Sequence, residues 1–325
     1  MRTRLALLAA LAVLGPLELG GCSRGDTAAK HRLFGREEDR GAVPSLDPAH
    51  PEAALSLDAD EVARRLGSFD FTGAVDWSVS RNSGAPLHVT EEHRIRQSST
   101  GEFEVQARVD PGLGPSAVEG KQIIFVDGLT YARSLPSPFR ERPTDRGRDA
   151  RRFREDSFGL IRDVAALVGP GLRLEKSGEE TVLGRSALRY RFTFRREPGP
   201  ASPAPAGFQA ADPDTARRQG FLRGGVASDA QGELWLDART GVPLRARLSA
   251  SFTAPPADQA PGPQVVVAVS AQMKALGGEV TAVSAPAGAL PDERKPSGPS
   301  SALEAAGLKK RGGEEAQPEP TDEGE

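Results

Sequence analysis

The chain has 325 residues, a net charge of -3 and a pI near 6.0, a balance that gives no electrostatic case for nucleic-acid binding. Hydrophobic residues make up 38% and aromatics only 5%, enough for one sizeable domain but not clearly for two. The single cysteine, Cys22, excludes any disulfide within the chain.

The N-terminus opens on Arg2 and Arg4, followed by an apolar run from Leu5 to Leu17. That run is about thirteen residues, short of the about 20 a membrane span needs and typical of a signal h-region. Glu18 ends it, and Leu19-Gly20-Gly21-Cys22 follows. This segment resembles the lipobox of bacterial lipoproteins: a branched apolar residue, two small residues, then the cysteine that is diacylated. The resemblance implies a signal peptide over 1–21, cleavage between Gly21 and Cys22, and a palmitate-type anchor on Cys22. Three acyl chains at about 0.8 kcal/mol per buried CH₂ hold firmly where one does not. Glu18 departs from the usual pattern. Ser23, a residue other than Asp, favours the outer membrane by likeness to enterobacterial sorting.

Residues 22–57 read as a flexible tether, polar and Pro-containing, spanning roughly 30 Å root-mean-square. A short helix is expected over about Ala59 to Leu66, capped by Asp58 or Asp60, with Val62, Ala63 and Leu66 on one face. Period-2 alternation then recurs. Phe71, Gly73, Val75, Trp77 and Val79 alternate with polar neighbours, as do Phe103 to Val109 and Leu188 to Phe194. Leu244 to Phe252 and Val265 to Met273 follow the same rule. One apolar and one charged face is the signature of antiparallel strands with one side wet.

Asp127-Gly128 between Ile123–Val126 and Leu129–Ala132 is a hairpin signal, and Thr240-Gly241 between Glu233–Asp237 and Leu244 is a second turn. The expectation is eight to ten strands, mostly meandering. A second helix is expected from about Ala150 to Val168, with Phe153, Leu160, Ile161, Val164 and Leu167 on its apolar stripe and Gly169-Pro170-Gly171 stopping it. Such a stripe must bury itself on the one-faced sheet. Residues 197–230 read as a Pro/Ala/Gly-rich disordered insertion, 254–263 as a Pro-rich loop, and 291–325 as a disordered tail whose charges past Arg311 are all acidic.

The fold class expected is mainly β with two or so helices (α+β): a strongly curved antiparallel sheet, an incomplete β-barrel closed by helices, over residues 58–290. Helix, meander, helix and further meander behind a lipobox resemble the LolA/LolB family and the related mycobacterial LppX/LprG lipoproteins. Two segments carry the local likeness. Val182-Leu183-Gly184-Arg185 leads into Ala187-Leu188-Arg189-Tyr190, and Gly232-Glu233-Leu234-Trp235-Leu236-Asp237 meets Thr240-Gly241-Val242-Pro243-Leu244. The insertion at 197–230 departs from the family pattern. Membership implies a lipid or a lipoprotein acyl chain held in an apolar cavity.

Candidate cavity residues are Trp77, Phe103, Phe125, Leu160, Val164, Tyr190, Phe192 and Phe194. An empty cavity costs packing at about 24 cal/mol per Å³, so a filled interior is the competing expectation. Catalytic and metal sites are not expected, and no cofactor is. Of the four histidines, His31 and His50 fall in the tether, and His88 and His93 on or near one strand. Glu91 and His93 share a face and suit a metal pair or a base with its orienter, but a solvated strand face is the expected role. The Arg-rich stretch from Arg140 to Arg154 can attract anionic head groups, yet reads as a solvated loop and helix start. The expected function is therefore non-enzymatic: a membrane-anchored periplasmic lipoprotein, outer membrane favoured, that binds or carries a lipid or acylated protein. The alternative is a structural or protein-interaction lipoprotein of the cell envelope with a filled core.

Overall fold

A computed structural model describes residues 50–80, 85–142, 147–195, 225–254 and 262–291. Gly21, Cys22, residues 197–224 of the insertion, 255–261 of the Pro-rich loop and 292–325 of the tail lie outside the described residues. No helix among the described residues is long and apolar enough to cross a membrane.

Alternation builds one antiparallel sheet. Its strands are β1 (Phe69–Val79), β2 (Leu87–Gln97), β3 (Phe103–Asp110), β4 (Glu119–Val126), β5 (Leu129–Ser134), β6 (Arg140–Glu141), β7 (Leu172–Val182), β8 (Arg185–Phe194), β9 (Val226–Asp237), β10 (Pro243–Thr253) and β11 (Gln264–Leu276). Their order is β6-β5-β4-β3-β2-β1-β11-β10-β9-β8-β7, so each strand pairs with its sequence neighbour except at β1–β11. There Val75 lies opposite Val269 and Trp77 opposite Val267. The sheet has open edges at β6 and β7, as an incomplete barrel does.

Eleven strands exceed the eight to ten expected. The additions are β6, of two residues, and β7, whose residues are mostly exposed on both faces, so neither shows a period of two. β9 begins at Val226, so 226–230 is strand rather than insertion. The packed body also starts earlier than residue 58: Pro51–Ser56 forms a 3₁₀ turn with Ala54 buried against the core.

Three helices cover the inner face: α1 (Ala59–Leu66), α2 (Arg148–Phe158) and α3 (Leu160–Val168). Asp58 caps α1, its carboxylate accepting from the Glu61 N–H at 2.6 Å, and Val62 is fully buried. The single second helix expected from Ala150 to Val168 is instead two, broken at Gly159. The break lets each half follow its own part of the sheet: α2 meets β1–β4, and α3 meets β1 and β9–β11. Gly73 makes room for α3, since a Cβ there would lie 2.4 Å from Leu160 Cδ1.

The outer face is polar over most of its width. Arg94 pairs with Asp70 and Arg96 with Glu104, each at 3.0 Å. Two places depart from the expected wet face. Ile124, Val126 and Tyr131 form a small outer cluster under Phe139, Val283 and Ala289. Trp235 is buried beneath the guanidinium groups of Arg189, Arg245 and Arg247 and donates to Glu180 at 2.8 Å. In the β9–β10 turn, Asp237 accepts from the N–H groups of Arg239 and Thr240, from the Thr240 hydroxyl, and from Arg185. Burial alone would raise its pKa, but the Arg185 and Thr240 bonds overcome that and hold it below the ordinary aspartate range.

Two outcomes follow from these contacts. Gly73→Val lowers stability by about 1–3 kcal/mol through overpacking against Leu160, read as a lower urea midpoint at unchanged slope. The lowered Asp237 pKa contributes stability above the ordinary aspartate value of about 3.9 that is lost as pH falls below it. Asp237→Asn flattens that acid limb in unfolding measured against pH.

Candidate functional site

The sequence-derived cavity residues all lie in or against one apolar cluster between sheet and helices. Phe103 on β3 and Phe125 on β4 stack at 5.4 Å beside α2. Leu160 and Val164 are buried on α3, and Tyr190 and Phe192 are buried on β8, while Trp77 and Phe194 are half-buried. Most of these side chains are buried. An apolar cleft at the helix break, among Leu55, Leu57, Phe71, Phe158 and Ile161, measures about 40 Å³. That is room for about three waters, not for an acyl chain.

Toward the end of β1–β3 that carries the β1–β2 and β3–β4 loops, the inner face stays apolar but is less deeply buried among the described residues. Trp77, Val79, Leu87, Val89 and Val109 are all partly buried there. Trp77 sits opposite Val89, and Val79 opposite Leu87. The adjoining β3–β4 loop holds Leu113 at 73% exposed between Gly112 and Gly114, both at positive φ. A Cβ on Gly112 would meet the His88 carbonyl at 2.8 Å, so that turn depends on glycine.

The floor behind this strip is polar, which corrects the expectation of a solvated face for Glu91 and His93. Register decides their side: His93 lies opposite Gly73 and Glu91 opposite Val75, both inner positions. Glu91 is 4% exposed and His93 8%. The Trp77 indole N–H donates to Glu91 Oε1 at 2.8 Å, and Glu91 Oε2 lies 3.6 Å from His93 Nε2. His93 Nδ1 meets Ser157 Oγ of α2 at 3.0 Å. His93 Nε2 is buried without a hydrogen-bond partner. Serine, imidazole and carboxylate stand in the order of a nucleophile, base and orienter. Ser157 is fully buried, however, so in this state the row ties α2 to β2.

Arg154 corrects a second expectation, since it is 1% exposed rather than part of a solvated helix start. It donates to both Asp60 oxygens at 2.8 Å, to Gln97 Oε1 at 2.9 Å and to Glu155 at 2.7 Å, and lies over the Phe103 ring at 4.6 Å. Burial works against its charge, but the Asp60 bond and the Glu155 and Asp60 charges outweigh that and raise its pKa. Burial likewise pushes the Glu155 carboxyl up, only partly offset by Arg154 and the Ala59 N–H. Arg154 and Ser157 were missed because both are polar. Helical spacing places them on one stripe with Ala150 and Phe153, the four buried residues of α2. No group of three or more His, Cys, Asp or Glu able to hold a metal occurs among the described residues.

No family model matches the chain, and no curated protein matches it in sequence. Among solved structures it is similar to a chain of the MucA/MucB complex of Pseudomonas aeruginosa, at 18% identity and TM-score 0.23. That match covers 67% of this chain and 54% of the other, about half its length. It is also similar to a LolA superfamily protein of Nitrosomonas europaea, at 9% identity, 72% and 96% coverage and TM-score 0.22. Lipoprotein LppX of Mycobacterium tuberculosis is a third, at 13% identity, 73% and 100% coverage and TM-score 0.24.

Arg154→Ala removes a buried cation and leaves Gln97 without its donor. A loss on the order of 3 kcal/mol is expected in urea unfolding, with Arg154→Lys restoring only part, because one ammonium cannot serve Asp60, Gln97 and Glu155 in that geometry.

Proposed function

We propose that this chain is an exported lipoprotein whose sheet domain binds a lipid or an acylated protein on its inner face, without catalysis. In this reading residues 1–21 are removed, Cys22 carries the anchor, and residues 22–50, up to the 3₁₀ turn that packs on the core, tether the domain to a membrane facing the periplasm, the outer membrane being favoured. The observation that supports the ligand half is the apolar strip of Trp77, Val79, Leu87, Val89 and Val109, continuous with the core yet only partly buried among the described residues. Soluble domains bury such a strip unless something else covers it. An acyl chain matches its chemistry. The lipoprotein half is supported by the Leu19-Gly20-Gly21-Cys22 segment behind its apolar run.

The many fully buried side chains favour a second reading: an envelope lipoprotein with a packed core that binds a protein partner through its loops, the 197–225 part of the insertion or the acidic tail. Both readings share the anchor and differ in the ligand.

One preparation separates them. The full chain, expressed with labelled palmitate and extracted from membranes in mild detergent, is expected to carry label on Cys22 and, in native mass spectrometry, a further non-covalent lipid mass. Cys22→Ala should abolish the label. A chain that is labelled but never carries lipid leaves the partner-binding reading; an unlabelled chain overturns the anchor.

A further inference from the structure

We infer that Glu91 and His93 form a hydroxyl-selective subsite at the inner end of the apolar strip, so that the ligand is an acyl chain with a hydroxyl near its far end. This rests on the lipid-binding reading and narrows its ligand to a chemical class. The two residues adjoin the strip directly. Glu91 follows Val89 on the inner side of β2, lies opposite Val109 of β3, and takes the indole N–H of Trp77. His93 is the next inner residue. Both are more than nine-tenths buried, where a polar group without its hydrogen bonds lowers stability. Packing does not call for polar groups there, since Val75 and Ile95 at neighbouring inner positions are apolar and as deeply buried.

The geometry sets a donor beside an acceptor without joining them. Glu91 is held by Trp77 through Oε1 at 2.8 Å, and His93 by Ser157 through Nδ1 at 3.0 Å. Between these anchors Glu91 Oε2 and His93 Nε2 stand 3.6 Å apart, beyond hydrogen-bond reach. Nε2 has no hydrogen-bond partner among the described residues. A carboxylate facing Nε2 favours the tautomer with its proton there, and the Ser157 hydroxyl then donates to Nδ1. A carboxylate oxygen can accept two hydrogen bonds, so Oε2 can take a further one. An oxygen about 2.8 Å from both atoms accepts from Nε2–H and donates to Oε2. A hydroxyl does both. An ammonium only donates, a second carboxylate only accepts and meets Glu91 as a like charge, and a methyl group does neither.

Depth follows from the strand. Leu87 lies opposite Val79 at the outer end of the strip, and Glu91 is four residues further along β2. That is about 13 Å of strand, the reach of an extended acyl chain of medium length. A chain lying along the strip with its carboxyl group at Leu87 brings its far end, not its first carbons, to Glu91 and His93.

The test is competition on the full chain in mild detergent, read by native mass spectrometry. Dodecanoic acid competes at equal concentration with ω-hydroxydodecanoic acid and, separately, with β-hydroxydodecanoic acid. The ω-hydroxy acid is expected to be favoured about tenfold, the equivalent of about one hydrogen bond, and the β-hydroxy acid not at all. A purely apolar seat gives the opposite order, because burying a hydroxyl without a partner is unfavourable. His93→Asn keeps a polar atom near Nδ1 but removes Nε2, and should abolish the preference. His93→Gln, whose amide nitrogen can stand in for Nε2, should keep part of it. Each ratio is read within one protein, so a loss of stability in a variant does not set it. Equal binding of the plain and ω-hydroxy acids, or preference for the plain acid, overturns the subsite and leaves the lipid reading standing, with water alone bridging Glu91 and His93. Preference for the β-hydroxy acid overturns the placement, and a preference that survives His93→Asn overturns the role of His93. Binding of none of the acids overturns the subsite together with the lipid reading.

Discussion

An open sheet of eleven strands presents a broad apolar face, and everything else in the domain is organised by the need to cover it. Among the described residues, α1, α2 and α3, with the 3₁₀ turn before them, do so. Their short lengths leave the strip from Trp77 to Val109 half-covered. The cover is thus uneven: four of the five residues α3 buries are apolar, Asp163 being the exception, whereas two of the four α2 buries are polar.

The polar residues on the inner face cost stability in a way that apolar ones there would not. A buried carboxylate, imidazole and guanidinium must each be satisfied, and partial satisfaction is worse than an apolar core. Arg154 meets that demand through Asp60, Gln97 and Glu155, and in doing so joins α1, α2 and β2 at one point. His93 meets it at one nitrogen only. Polar groups in this position align α2 over β2 by direction, where packing alone would allow it to slide.

Much of the sheet was legible in the sequence because period-2 alternation and turn chemistry are local. Phe71 to Val79 and Val265 to Met273 occur as strands, Asp127-Gly128 turns with both residues at positive φ, and Asp58 caps α1. β7 was not legible, since an edge strand exposed on both faces carries no period. The candidate site was less legible. Which face Glu91 and His93 occupy depends on register against β1, set by strands far apart in the chain. Arg154 and Ser157 lie on the buried stripe of α2 by spacing alone, but polarity hid them. The break at Gly159 depends on two helices meeting different halves of the sheet.

The strand order divides the sheet into two meanders, β1–β6 and β7–β11, joined along β1–β11. Within each, every pairing links neighbours in the chain and closes a modest loop. The β1–β11 seam alone joins residues near 75 to residues near 269, so its loop-closure entropy is the largest in the domain. Each meander can assemble on local contacts, and the seam then unites them into one face, with α3 lying across it on β1, β10 and β11. During synthesis the first meander leaves the ribosome with its β1 edge unpaired until β11 emerges, an exposed strand edge of the kind that invites association.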